Sequence, residues 1–173
     1  MKNILRGGIA AVAFLTGLVV GQVLQAQENK PAKIKASAIK VEMIHSDEIK
    51  LPAEFQVSLY EDLIQQLEKK GGFQHVYRQG DRNAEKAVDL VVLHSTVTGF
   101  KQGNEELRQV TTVAGATSIR MHCVFKDKDG KTVLESDVTG KVRFFGGNLR
   151  ATYDFAKKTA QIAHDRFSPA AGT

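Results

Sequence analysis

The stretch Val88–Phe100, VDLVVLHSTVTGF, is apolar on both faces where it begins. Val88, Leu90 and Val92 fall on one face of an extended chain, and Val91, Leu93 and Val97 on the other. A strand apolar on both faces is covered on both sides or central in a sheet. Its β-branched residues suit a pleated surface. His94, Ser95, Thr96 and Thr98 make the far end polar, and Gly99 breaks it. The pattern predicts a central strand on which the other elements pack.

Around it the periodicity alternates between two and nearly four. Ile34–Ile44 reads as a strand whose phase shifts: Ile34, Ala36 and Ala38 fit one face, and Ile39, Val41 and Met43 the other, as a bulge or cover on both sides would produce. Pro52 suits the first turn of a helix, and Phe55, Leu59, Leu63 and Leu67 give that helix an apolar stripe. Glu54 near its start and Lys69-Lys70 near its end complement the helix dipole, and Gly71-Gly72 stops it. Phe73–Arg78 is a short strand, Gln79–Ala87 a charged loop and Lys101–Arg108 a polar one. Ser118–Lys126 places Ile119, Met121, Cys123 and Phe125 on one face. Asp129-Gly130 signals a hairpin. The returning strand, Thr132–Phe145, puts Leu134, Val138, Val142 and Phe144 in phase, with Lys141 and Arg143 opposed. Asn148 is placed to cap a last helix running to Phe167, with Phe155, Ala156, Thr159, Ile162 and Ala163 inward. The order β-α-β-β-β-β-α predicts an α+β fold. It is a two-layer sandwich, with an antiparallel-rich mixed sheet of about five strands and two helices.

The first 26 residues read differently. Lys2 and Arg6 form a positive start, Ile9–Val20 is apolar and uncharged, and Leu24-Gln25-Ala26 offers a small residue at a cut. This is the pattern of a signal peptide cleaved between Ala26 and Gln27. An uncleaved anchor is the alternative, although the apolar run is short for a membrane span of about 20 residues. The expected organisation is therefore a signal peptide over 1–26, a flexible lead-in over 27–33, one α+β domain over 34–167 and a tail over 168–173. Losing Lys2 and Arg6 lowers the net charge from +5 to +3, which gives no reason to expect nucleic acid. Cys123 is the only cysteine, so it has no internal disulfide partner; its phase makes it a small buried hydrophobe.

Several short motifs point to scaffold, not chemistry. Gly130-Lys131-Thr132 lacks the glycine that a phosphate loop needs five residues earlier, where Phe125 stands. Asp127-Lys128-Asp129-Gly130 lacks a calcium loop's third ligand, and Ser136 takes the place of its glutamate. Ser37 and Lys40 match S-x-x-K but lie in a strand pattern, where that motif opens a helix. His45, His75, His94, His122 and His164 show no helical metal spacing; His94 and His122 could meet across neighbouring strands. Asp81-Arg82, Glu85-Lys86, Glu105-Glu106 and Arg108 are most simply solvated charges. Phe144-Phe145, beside two glycines, reads as a core residue followed by one that covers a helix end, with an exposed apolar tip as the alternative.

Phe55…Leu59…Leu63…Leu67, Gly72-Phe73, Val76 and Val88-Asp89-Leu90-Val91-Val92 together resemble an uncharacterised family of exported bacterial domains. The likeness continues through Leu107-Arg108, Ala114-Gly115-Ala116, Ile119–Phe125, Asp127, Gly130 and Val133-Leu134. In element order the chain is more distantly similar to domains of the curli-secretion lipoprotein and the amino-terminal domain of Tol translocation protein B. Many such relatives are lipoproteins, and no lipid-acceptor cysteine stands here. The resemblance implies an envelope location and an interaction role, without catalytic, cofactor or metal residues. The expected function is thus a non-enzymatic periplasmic or secreted interaction domain, its partner another envelope protein or a second copy. A small-ligand or glycan-binding module is the alternative, and a secreted hydrolase the third reading.

Overall fold

A computed structural model describes residues 32–110, 115–143 and 146–169. The cleavage position Ala26-Gln27, most of the lead-in, Ala114, Phe144-Phe145 and the end of the tail lie outside the described residues.

The sheet has five strands in the order β3-β2-β4-β5-β6. β2 is Ala38–Val41, β3 is His75–Arg78, β4 is Leu90–Lys101, β5 is Thr117–Lys126 and β6 is Thr132–Val142. β2 runs parallel to both β3 and β4, and β4-β5-β6 is an antiparallel meander. Two long helices, α1 (Ala53–Lys70) and α3 (Arg150–Arg166), pack on each other and cover one face. This is the expected α+β sandwich, with β4 at its centre.

Both faces of β4 are indeed covered where it begins. Val91, Leu93 and Val97 join the main core, beneath Phe55, Leu59 and Leu63 of α1. Leu90 points the other way and packs with Ala38 and Ala84. Ala84 belongs to a 3-10 turn, Arg82–Lys86, inside the segment expected to be loop; the Asp81 carboxylate caps it by accepting from the Asn83 N–H. Val88 is outside the strand and 83% exposed, because pairing starts only at Leu90. β5 follows its alternation: Ile119, Met121, Cys123 and Phe125 are all buried. The Asp127 carboxylate binds the Asp129 and Lys131 N–H groups, so the calcium-like residues build a hairpin turn.

Several boundaries differ from expectation for tertiary reasons. Ile34–Ile44 is not one bulged strand. β1 (Ile34–Lys35) leaves the main sheet and pairs in parallel with β7 (Phe167–Ser168). After β2 the Glu42 N–H still bonds the Leu93 carbonyl, the ladder then lapses, and His45 bridges to Thr96. Phe167 is therefore not the last helical residue, and Ser168, assigned to the tail, is paired with Lys35. Pro52 sits just ahead of α1 with an extended ψ of 143°, not within its first turn. A third helix, α2 (Glu105–Val110), occupies the segment read as polar loop; the Asn104 side chain accepts from the Glu106 and Leu107 N–H groups at its start. Asn148 does not cap α3. Its Oδ1 accepts the Thr117 hydroxyl, and Leu149 takes the cap position without a side-chain bond.

No helix among the described residues is long and apolar enough to cross a membrane.

Candidate functional site

With both long helices on one side, the other face of β4-β5-β6 carries polar side chains. His94, Thr96, Arg120 and His122 stand on it, with Glu135, Asp137 and Lys141 from β6. His94 and His122 do lie on adjacent strands. Their registers, His94 opposite Val124 and His122 opposite Thr96, make them diagonal neighbours. Each turns to a different carboxylate. His94 Nδ1 is 2.8 Å from Glu42, while His122 meets Asp137 at 2.8 Å and Glu135 at 3.1 Å. Among the described residues, no group of three or more His, Cys, Asp or Glu could hold a metal ion. The two histidines, which the sequence allowed to meet across the strands, form two separate histidine–carboxylate contacts instead.

Burial pushes the His94 imidazole below its ordinary value. The Glu42 carboxylate works against that shift, while Lys126, Lys40 and His45 add to it. Because the folded value is lowered, the folded chain favours the neutral ring. The stability tied to that preference is full above about pH 6.5, the ordinary histidine value, and falls as acidification protonates the site. Urea denaturation at pH 7.5 and 5.5 should therefore show a larger loss for the wild type than for His94→Gln. Equal losses would show that His94 is not the group responsible.

Cys123 is fully buried. Burial raises its thiol to about 11, with Ser95 Oγ 3.8 Å from Sγ. A thiol that stays protonated at neutral pH is a poor nucleophile. The S-x-x-K pair is also without its chemistry. Ser37 lies in the bend before β2, and Lys40 pairs with Glu42 at 3.3 Å.

The free edge of β6 is handled by α3. Asp154 Oδ2 accepts from the Lys141 N–H at 2.9 Å, and Lys158 Nζ donates to the Thr139 carbonyl at 2.9 Å. The two side chains also pair with each other at 2.6 Å. Together they occupy groups that a sixth strand would use, which blocks strand addition at that point.

Two depressions meet at Lys141. One, of about 390 Å³, lies between β6 and α3 and is lined by Lys141, Arg143, Arg150, Tyr153, Asp154 and Lys157. The other, of about 330 Å³, runs onto the open sheet face past Lys101, Arg120 and Thr139. Asp154 is the sole carboxylate among their lining residues, and the edge contacts above already engage it. The alternation of β6 showed Lys141 and Arg143 on the polar phase, but only the fold brings Lys157 beside them.

The opposite margin is acidic. Glu61, Asp62 and Glu68 of α1 line a smaller depression of about 190 Å³, with Gln65 and with Arg78 from β3. Arg78 makes two bonds to the Glu61 carboxylate, at 2.6 and 2.7 Å, and lies over the Tyr60 ring. The guanidinium holds the Glu61 carboxyl below its ordinary value. The pair is exposed, so its own contribution to stability is small. Glu68 is exposed and adds its charge to the field around Arg78 without a direct bond to it. Sequence alone gave α1 a polar outer side without showing that Arg78 reaches it.

No protein-family model matches this chain, and no curated protein matches it. Among solved structures it is similar to PelC from Paraburkholderia phytofirmans, described as a dodecamer. In one crystal form the identity is 16% and the TM-score 0.56, covering 78% of this chain and 93% of that one. A second form gives the same identity and score, with 80% and 93% covered. Protein XCC0632 from Xanthomonas campestris, described under a family of unknown function, is 12% identical with a TM-score of 0.47, covering 79% of this chain and 88% of that one. The likeness to PelC is one of fold.

Proposed function

We propose that this chain is a non-enzymatic domain of the bacterial envelope, exported by a leader cleaved between Ala26 and Gln27, that works by assembling with copies of itself. The observation that carries the reading is the fold it shares with a protein described as a dodecamer. Two features of this chain support it. The helices leave one face of the sheet available to a partner, and the charged surfaces are segregated to the two margins of the domain. The envelope setting rests on the leader pattern and on the resemblance to exported domains, including those of the curli-secretion lipoprotein and Tol translocation protein B.

Two measurements on one preparation test the proposal. The chain recovered from fractionated cells should be in the envelope fraction, with the mass of a protein beginning at Gln27. In light scattering or native mass spectrometry it should form particles of several protomers. A chain of full precursor mass in the cytosol defeats the export reading, and a monomer at about 100 µM defeats the assembly reading.

A ligand-binding module is the second reading, favoured by the basic depression that opens onto the sheet face at Lys101, Arg120 and Lys141. A thermal shift produced by an anionic saccharide, with the chain remaining monomeric, would favour it over assembly.

A further inference from the structure

The two charged surfaces have opposite sign and sit at opposite margins of the sheet. α1 and β3 carry Glu61 and Glu68 at one end of the strand order, while Asp62 turns to accept from the Thr152 hydroxyl of α3; α3 and β6 carry Lys141, Arg143, Arg150 and Lys157 at the other end. We infer that these surfaces bind each other between copies, so that the acidic side of α1 in one protomer docks on the basic side of α3 in the next. The inference rests on the assembly reading and names its interface.

Three observations lead to this partner. First, the surfaces are charge-complementary, which steers and registers association. Second, a contact joining two different patches is head-to-tail. It continues from protomer to protomer, closing as a ring when the rotation allows. A two-fold contact through either patch alone would instead bring acid to acid or base to base. Third, Asp154 and Lys158 block the β6 edge at Thr139 and Lys141, so copies cannot join there by extending the sheet. The charged side chains on the outer sides of α1 and α3 remain available for a contact. Among the described residues, the Arg143 and Lys157 side chains make no hydrogen bond or ion pair within the protomer, and Glu68 makes none either, although it lies within reach of the Arg78 charge. Their charges are therefore open to a neighbour. Tyr153, 46% exposed among these cations, adds an apolar ring to the basic side. Aromatic and arginine side chains are enriched where protein interfaces are centred.

The test is a charge exchange on the chain as purified from an expressing bacterial host. One variant carries Arg143→Glu and Lys157→Glu; the other carries Glu61→Lys and Glu68→Lys. All four positions are exposed, and circular dichroism with urea denaturation confirms that each variant is folded. Each variant alone should self-associate at least about tenfold more weakly than the wild type. Mixed in equal amounts they should recover particles of wild-type size, since every junction in the mixture then joins opposite charges. Wild-type association should also weaken as salt is raised from about 50 mM to 500 mM. Wild-type assembly that neither variant reduces overturns this interface while leaving assembly itself in place. Variants that both weaken assembly but do not restore it on mixing show that the two surfaces do not meet each other, and also overturn it. A wild-type chain that is monomeric removes the assembly reading and this interface with it. Glu68→Gln and Lys157→Gln, which remove charge without reversing it, should weaken association less than the reversals do; an equal or larger loss would show that shape and not charge governs the contact.

Discussion

Gly140→Ala is expected to destabilise the domain by about 3 kcal/mol, at the upper end of what a single overpacked site costs. The residue lies in β6 directly beneath α3. A Cβ there would press into the Ala151 carbonyl oxygen, closer than real Cβ atoms approach, and would sit 2.7 Å from the Phe155 Cβ. Neither neighbour can yield by a rotamer change, because one is helix backbone and the other is the stem of a fully buried ring. The strand on both sides of Gly140 is also tied to the helix, through Thr139 to Lys158 and through Lys141 to Asp154. To admit the methyl group α3 must lift, and lifting it opens the β6 edge. The variant should therefore also aggregate more readily than the wild type on heating. Gly130→Ala is the control. Gly130 has a φ of +80° and no atom within 4 Å of a built Cβ, so only backbone strain of about 1 kcal/mol is expected. Urea denaturation of both variants decides the matter. A Gly140→Ala midpoint no lower than that of Gly130→Ala would mean that α3 is not seated on this strand.

Elements whose stability comes from one buried face were legible in the sequence. β5 alternates without error because α1 and α3 cover only one side of it, and α1 repeats its apolar residues every four because it lies flat on the sheet. The β5-β6 turn was legible because Asp129-Gly130 solves a local backbone problem. What could not be read depended on distant partners. β1 and β7 are two residues each, too short for any period, and each forms only because the other end of the chain returns to it. α2 has six residues, fewer than two full turns; the available clue was Asn104 followed by Glu105-Glu106, a cap with acids in the first turn. Asn148 has the right chemistry for a cap, but Thr117 competes for the same oxygen. The charged surfaces were hidden for a related reason. Arg78 and Glu61, or Lys141 and Lys157, look like unrelated solvated charges until strand and helix are brought side by side.

Phe167→Ala distinguishes a frayed helix end from the closure that the fold shows, and is expected to cost about 3–5 kcal/mol, as for other buried phenylalanines. Phe167 is 1% exposed, and its ring lies 5.6 Å from that of Phe73 and 5.5 Å from that of Phe125. It therefore links the segment after α1 to the middle of the sheet. Its backbone leaves α3 with the N–H still bonded to the Ala163 carbonyl, then pairs with Ile34, while the Ser168 carbonyl accepts from Ala36. Truncation would leave a cavity between two rings that cannot both move to fill it, and would loosen the pairing that anchors the start of the described chain. A residue at a frayed end would change stability by no more than about 0.5 kcal/mol. Phe73→Ala should share part of the loss, so the double variant should cost less than the two single losses added together, because both singles disrupt the same ring contact. Denaturation of the three variants under one set of conditions gives the answer: a small loss for Phe167→Ala, or strict additivity with Phe73→Ala, would show that the two ends of the domain are not joined through this ring.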